Sequence, residues 1–427
     1  MTVATTPAMS PSRAREIASS FDLRALPPDF YANPYPVYAC LREHAPVKRM
    51  PDGSLFLTRY DDLVAVYRDA QRLSSDKKVE FTPKYGAGSP LLAHHTTSLV
   101  FNDPPLHSRV RRLIMGALTR RAIAQMEAGL VQLVDRLLVA IEAQGSGDLV
   151  EDFASAIPVE VIGNLLGVPH EDRAPLRGWS LAILGALEPR LTPEQEALGN
   201  RSVTEFTSYL TELIAQRRKQ PGDPEHDVLT RLIQGEPAGE QLGEAELLQN
   251  CIFILNAGHE TTTNLIGNAL VALQEWPGQK AALCESLRGN SDDTGSTEAV
   301  MTLAVDEFLR FESSNQLGNR RSIAPCEVGG VLLEPGTLVT LCIGAANRDP
   351  AQFADADELM LTRGNNRHLA FGFGIHQCAG LSLARLEGRI AIGRFLRRFP
   401  DYRLTESPTR GGRARFRGFL HAPFAVA

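Results

Sequence analysis

The chain has 427 residues, 43% of them hydrophobic, enough to bury a large core without help from disulfides or metal. Its 44 Lys and Arg against 50 Asp and Glu leave a net charge of -6, which argues against a nucleic-acid binder built to neutralise phosphates. Six dispersed cysteines offer neither CxxC nor paired spacing, so no zinc site or disulfide framework is expected and a reducing cytoplasm fits.

Residues 1–25 carry no apolar run long enough for a signal peptide or membrane span, and a flexible N-terminus is expected there. From Asp61 to Pro277 the sequence reads mostly as amphipathic helices broken by loops such as KQPGDPEHD. The longest runs from Glu244 to Trp276, roughly 50 Å at 1.5 Å per residue, before Pro277 stops it. A further helix is predicted over Glu298 to Phe311. CEVGGVLLEPGTLVTLCIG then reads as short strands turned at Glu334-Pro335-Gly336. LFL at 55–57 and the stretch from Tyr402 onward supply further strands, giving a mainly helical class with small sheets. No composition break divides residues 26–427, which read as one domain.

FGFGIHQCAG, residues 371–380, puts Cys378 in a glycine-rich loop just before a helix. The helix N-terminus would favour thiolate over thiol, as a metal ligand or nucleophile requires. Gly372, Gly374 and Gly380 would allow positive φ angles and close approach of a flat group.

This loop resembles the haem-binding loop of the cytochrome P-450 superfamily, in which the cysteine thiolate is the axial iron ligand. Glu307-Phe308-Leu309-Arg310 resembles the family's ExxR helix, Ala345-Ala346-Asn347-Arg348-Asp349-Pro350 its ANRDP segment, and Ala257-Gly258-His259-Glu260-Thr261-Thr262 its oxygen-activating helix. Four motifs in family order over about 120 residues leave little room for accident. The resemblance implies a P-450 fold with the long helix over haem b, and Cys378 as the iron ligand in a loop containing Phe371 and Gly372.

By the same resemblance, two propionates demand cationic partners. His107 and Arg111, one turn apart in NDPPLHSRVR, are expected to clamp them with His376 and an arginine after ExxR, Arg320 rather than Arg321 with the choice left open. Glu307, Arg310 and Arg348 are expected to brace the loop structurally. Gly258 in mid-helix and Thr261, able to bond back one turn, mark a weak point in the long helix. Beside a haem, Glu260 and Thr261 would position water and deliver protons, with glutamate replacing the family's commoner aspartate. His259 is expected to face elsewhere.

Only about 50 residues follow Cys378, so the electrons are expected from a separate ferredoxin or flavodoxin with its reductase, docking on a basic patch of Arg109, Arg112, Arg385 and Arg389. The resemblance places pocket walls at His94, His95, Leu255, Ala257, Gly258, Asn315 and Gln316. The segment FESSNQLGNRR lacks the proline and apolar residues usual in the family and could hydrogen-bond a polar handle. The expected protein is a cytoplasmic monomer, a monooxygenase that oxidises an apolar mid-sized natural product, with a terpenoid acid of secondary metabolism as one candidate. A P-450-fold isomerase, dehydratase or peroxygenase is the alternative within enzymes, and the Glu260-Thr261 pair counts against it. A haem-based sensor or carrier is the alternative outside them.

Overall fold

The computed structural model describes residues 9–224, 227–235, 239, 241–288 and 294–426. The class is mainly helical with small sheets, as expected. The N-terminal stretch departs from expectation: Pro11–Ser20 is a helix whose Ser10 cap accepts from the Arg13 N–H at 3.3 Å. Ala14 and Ala18, one turn apart, bury against Phe21, Tyr38 and Leu41. Small side chains at that spacing let the helix settle on the neighbouring helix Tyr35–His44.

Local signals set the helix ends. Thr119 caps Arg120–Gln144 and Gly145, in the left-handed region at φ 72°, closes it. A capping box of Thr192 and Gln195, with Pro193 in the first turn, opens Pro193–Lys219. The long helix spans Glu244–Glu275, within one residue of expectation, and Pro277 starts the next helix. It is buried on most sides, between Ala156–Leu165, Leu176–Gly185, Pro193–Lys219 and Leu381–Arg398. The helix does not break at Gly258. A Cβ there would lie 2.5 Å from Ile162 Cδ1, so the glycine serves close helix packing.

A five-stranded sheet flanks the helices, in the order Val47–Arg49, Leu55–Leu57, Leu338–Cys342, Leu317–Ser322 and Leu73–Ser74. Its Leu55–Leu57 and Leu338–Cys342 pair is parallel and the others antiparallel. The expected turn at Glu334-Pro335-Gly336 joins Val331–Leu333 to Leu338–Cys342, and a further turn at Gly329 and Gly330, both at positive φ, closes the hairpin Cys326–Val328/Val331–Leu333. Among the described residues no helix is long and apolar enough to cross a membrane.

Candidate active site

The cysteine loop is closed by its own backbone. The Cys378 N–H donates to the Phe371 carbonyl at 2.9 Å and the Gly372 N–H to Leu369 at 2.8 Å. Gly374 sits at φ 72°, and a Cβ there would fall 2.4 Å from the Tyr67 carbonyl oxygen, so no other residue fits. Gly380 has φ -92° and leads straight into the helix Leu381–Arg398, contrary to the positive φ expected of it. Cys378 keeps part of its surface open, yet burial pushes its thiol pKa up. A Gly380 N–H, Arg111 and Arg385 pull the other way and are outweighed.

Beside the cysteine stands a group of cationic and ring-nitrogen side chains. His107 and Arg111 lie one turn apart on Leu106–Ala117, and the His107 ring is 4.0 Å from that of His376. Neither nitrogen of His107 nor Nε2 of His376 has a partner, although His107 is fully buried. Burial, then Arg111, push His107 down to about 4; burial, then Arg320, push His376 down too. Arg320 lies 5.3 Å over the Tyr67 ring, whereas Arg321 pairs with Glu80 at 3.0 Å. Alternation along Leu317–Ser322 sends the two to opposite faces, and Arg320 is the one that joins the histidines. Asp103, which favours their charged forms, already accepts from the Ser74 hydroxyl and the Ser75 N–H.

Glu307 and Arg310 form a fully buried two-pronged pair, each N–H to oxygen distance 2.8 Å. Arg310 also donates to the carbonyls of Asn347, Ala356 and Glu358. The second cation on Glu307 is Arg363, at 3.0 Å, a partner the sequence did not point to. Arg348 lies 3.5 Å over Tyr35 and 3.8 Å over Phe311 and donates to the Phe311 carbonyl, a stacked setting that holds it away from Glu307. Asn347 accepts from the Leu369 N–H at 2.6 Å and so ties this brace to the cysteine loop. Phe371 packs against His368 and Arg385.

On the long helix, Ala257 and Thr261 share one partly open face. The Thr261 hydroxyl donates to the Ala257 carbonyl at 2.8 Å, and the Ser314 hydroxyl donates to the Thr261 carbonyl at 2.8 Å. Glu260 faces away and is 1% exposed, held by Arg413 from the C-terminal segment at 3.1 Å and by a second, shorter contact. Burial raises the Glu260 pKa and Arg413 opposes it. Sequence reasoning missed Arg413, since nothing local marks a partner 153 residues away. His259 is buried with both ring nitrogens unpartnered and its pKa driven to about 3 by burial.

The family profile described as Cytochrome P450 matches residues 186–407. Cytochrome P450 107B1 of Saccharopolyspora erythraea is 36% identical over 401 residues, 91% of this chain and 93% of its own length. The chain belongs to the cytochrome P450 family. It is therefore an oxidoreductase of the P450 monooxygenase class, and its family is defined by haem-thiolate iron. Vitamin D(3) 25-hydroxylase of Pseudonocardia autotrophica is 36% identical over 380 residues, 88% of each chain. The structure of P450BioI in complex with hexadec-9Z-enoic acid ligated acyl carrier protein superposes with a TM-score of 0.85 at 31% identity, covering 93% of this chain and 99% of that one.

The P450 site fits haem by its donor set. Orphaned nitrogens on His107 and His376, with Arg111 and Arg320 beside them, suit two carboxylates, and a half-open sulfur beside them suits iron.

The pocket residues expected for this P450 divide. Ala257 is exposed, Gly258 packs against Ile162, and Leu255 is fully buried in the main core. His94 bonds to Gln249 at 3.1 Å and lies 3.4 Å from Asn256, and burial takes its pKa to about 4, so it offers no cation to a carboxylate. His95 packs among Phe81, Tyr85 and Phe101 as a core side chain. Gln316 turns inward to the Ser313 carbonyl at 2.7 Å, away from any pocket, while Asn315 keeps an unpartnered Oδ1. In the expected docking patch, Arg109, Arg385 and Arg389 pair with Glu246, Asp306 and Glu298, which removes most of its bare charge.

Proposed function

We propose that Cys378 ligates haem b as thiolate, that His107, Arg111, Arg320 and His376 hold its propionates, and that the enzyme hydroxylates an apolar, mid-sized natural product such as a terpenoid acid. The observation that carries this is the cluster of buried, unpartnered nitrogens next to an unpaired cysteine. When bound, thiolate-ligated haem supplies reductive cleavage of O2. The two electrons come from a separate ferredoxin or flavodoxin with its reductase, and the enzyme acts as a cytoplasmic monomer.

The chain's residues do the rest. Thr261 holds a hydroxyl on the open face of the long helix, where it can orient a water. Glu260, buried on the adjoining face and paired with Arg413, relays protons taken from solvent toward the water that Thr261 orients. Ala257 leaves the face it shares with Thr261 free of side-chain bulk. The catalytic unit comprises residues 26–427, with the helix Pro11–Ser20 docked on it. Names of similar proteins support the substrate class: one acts on a vitamin D sterol and another carries a C16 acyl chain, both apolar and mid-sized.

The test is optical. The purified protein, reduced under CO, is expected to show the red-shifted thiolate band, and the ferric form to shift from low to high spin with a member of a panel of terpenoid acids, steroids, fatty acids and macrolides. Absence of the CO band overturns the haem-thiolate assignment. A CO band with no spin shift across the panel overturns the substrate reading alone.

A further inference from the structure

A cavity of about 860 Å³ opens between the sheet, the helix Lys78–Tyr85 and the connection carrying Leu187. Phe81 and Leu187 give it apolar wall, and Lys77, Lys84 and Arg415 give it charge. Lys77 is 2% exposed and its Nζ has no partner; Nε of Arg415 is likewise unpartnered. A buried lysine in that state is costly unless an anion joins it. The carboxylates around the cavity are largely engaged elsewhere, except that Glu80 Oε2 has no hydrogen-bond partner and its charge favours the Lys77 ammonium without bonding to it. Glu80 pairs with Arg321, Asp52 with Arg24, and Glu188 accepts the backbone N–H groups of Ala414 and Arg415.

We propose that this cavity receives the carboxylate of an acid substrate, gripped by Lys77 and Arg415 with Lys84 at the rim. The inference rests on the P450 reading above and narrows its substrate class to acids. Burial, opposed by Glu80 and reinforced by Arg320 and Arg415, pushes Lys77 down to about 7, and burial pushes Lys84 to about 8. An anion between them would reverse both shifts. The volume suits a mid-sized molecule. Lys77 also acts electrostatically on His376, so the same carboxylate chemistry could come from a haem propionate. The experiment separates the two sources.

Haem-loaded protein is titrated with abietic acid, palmitoleic acid and their methyl esters, following the spin shift, in wild type, Lys77→Met and Lys84→Met. The expected result is acid binding at least about tenfold tighter than ester binding, as charge-assisted contacts imply, with the preference reduced in both variants while the CO band is retained. Equal affinities in wild type, no shift from either acid, or a preference intact in both variants overturns the proposal. Faster transfer of haem from Lys77→Met to apomyoglobin, with the acid preference unchanged, assigns Lys77 to the propionate and overturns it too. A wild type lacking the CO band marks failure of the P450 site reading, and this inference falls with it.

Discussion

Thr261 already has an acceptor for its hydroxyl, the carbonyl one turn back, so its proton is directed and its lone pairs face the open side of the helix. Thr261→Ala should retain haem and the CO band but divert most reducing equivalents to hydrogen peroxide, measured as peroxide formed per NADPH consumed. Unchanged coupling would remove Thr261 from proton delivery. Glu260 gives the complementary case. Its carboxylate is buried, and Arg413 is what keeps its pKa from rising further. Arg413→Met takes that cation away, so the acid limb of the coupling profile should move to higher pH. A profile that stays in place would show that another group donates the proton. Glu260 and Thr261 were readable from sequence because they adjoin in one motif; Arg413 and Lys77 were not, because their meaning depends on what folding brings next to them.

Among elements, the brace under the cysteine loop converges on one buried carboxylate. Glu307 takes Arg310 and Arg363 together with the Met360 N–H and the Asn366 amide, all within 3.2 Å. Glu307→Gln would leave two guanidinium groups facing a neutral side chain, and breaking a buried pair of this kind costs about 3–5 kcal/mol. The expected outcome, read by urea denaturation, is a large loss of stability with haem released early in the transition. Gly374→Ala should act more locally, lowering haem occupancy, since its Cβ would meet the Tyr67 backbone. The long helix was legible to within a residue because caps and proline mark its ends. The second cation on Glu307 was not. Arg348 and Arg363 both sit near ExxR in the fold, and only stacking on Tyr35 and Phe311 removes the former. The turn at Glu334-Pro335-Gly336 was legible because proline and glycine mark it, whereas the tighter turn at Gly329-Gly330 was not singled out.

For the molecule as a whole, buried histidines set an acid limit. His94 is held at about 4 and His259 at about 3, against 6.5 in an open chain. Between those values the unfolded state binds protons that the folded state refuses, so stability falls as pH drops from 6.5 toward 4, by on the order of 1 kcal/mol per pH unit for each histidine. Melting temperature measured from pH 8 to pH 5 should stay level above about 7 and decline below it, and His94→Gln should flatten the decline. A decline of equal slope in that variant would place the acid sensitivity in other groups.

Glu188 and Glu260 are fastened to neighbouring residues of one short strand of backbone, the first through the N–H groups of Ala414 and Arg415, the second through the Arg413 side chain. Lys84 and Tyr85 add contacts to the same connection, on the carbonyls of Glu188 and Ala186. The connection carrying Leu187 and the Glu260 carboxylate are thus moored to one stretch of chain, so slack at the first is passed to the second. Glu188→Gln should therefore behave as a leaky enzyme, consuming NADPH without product even though the substitution lies away from Thr261.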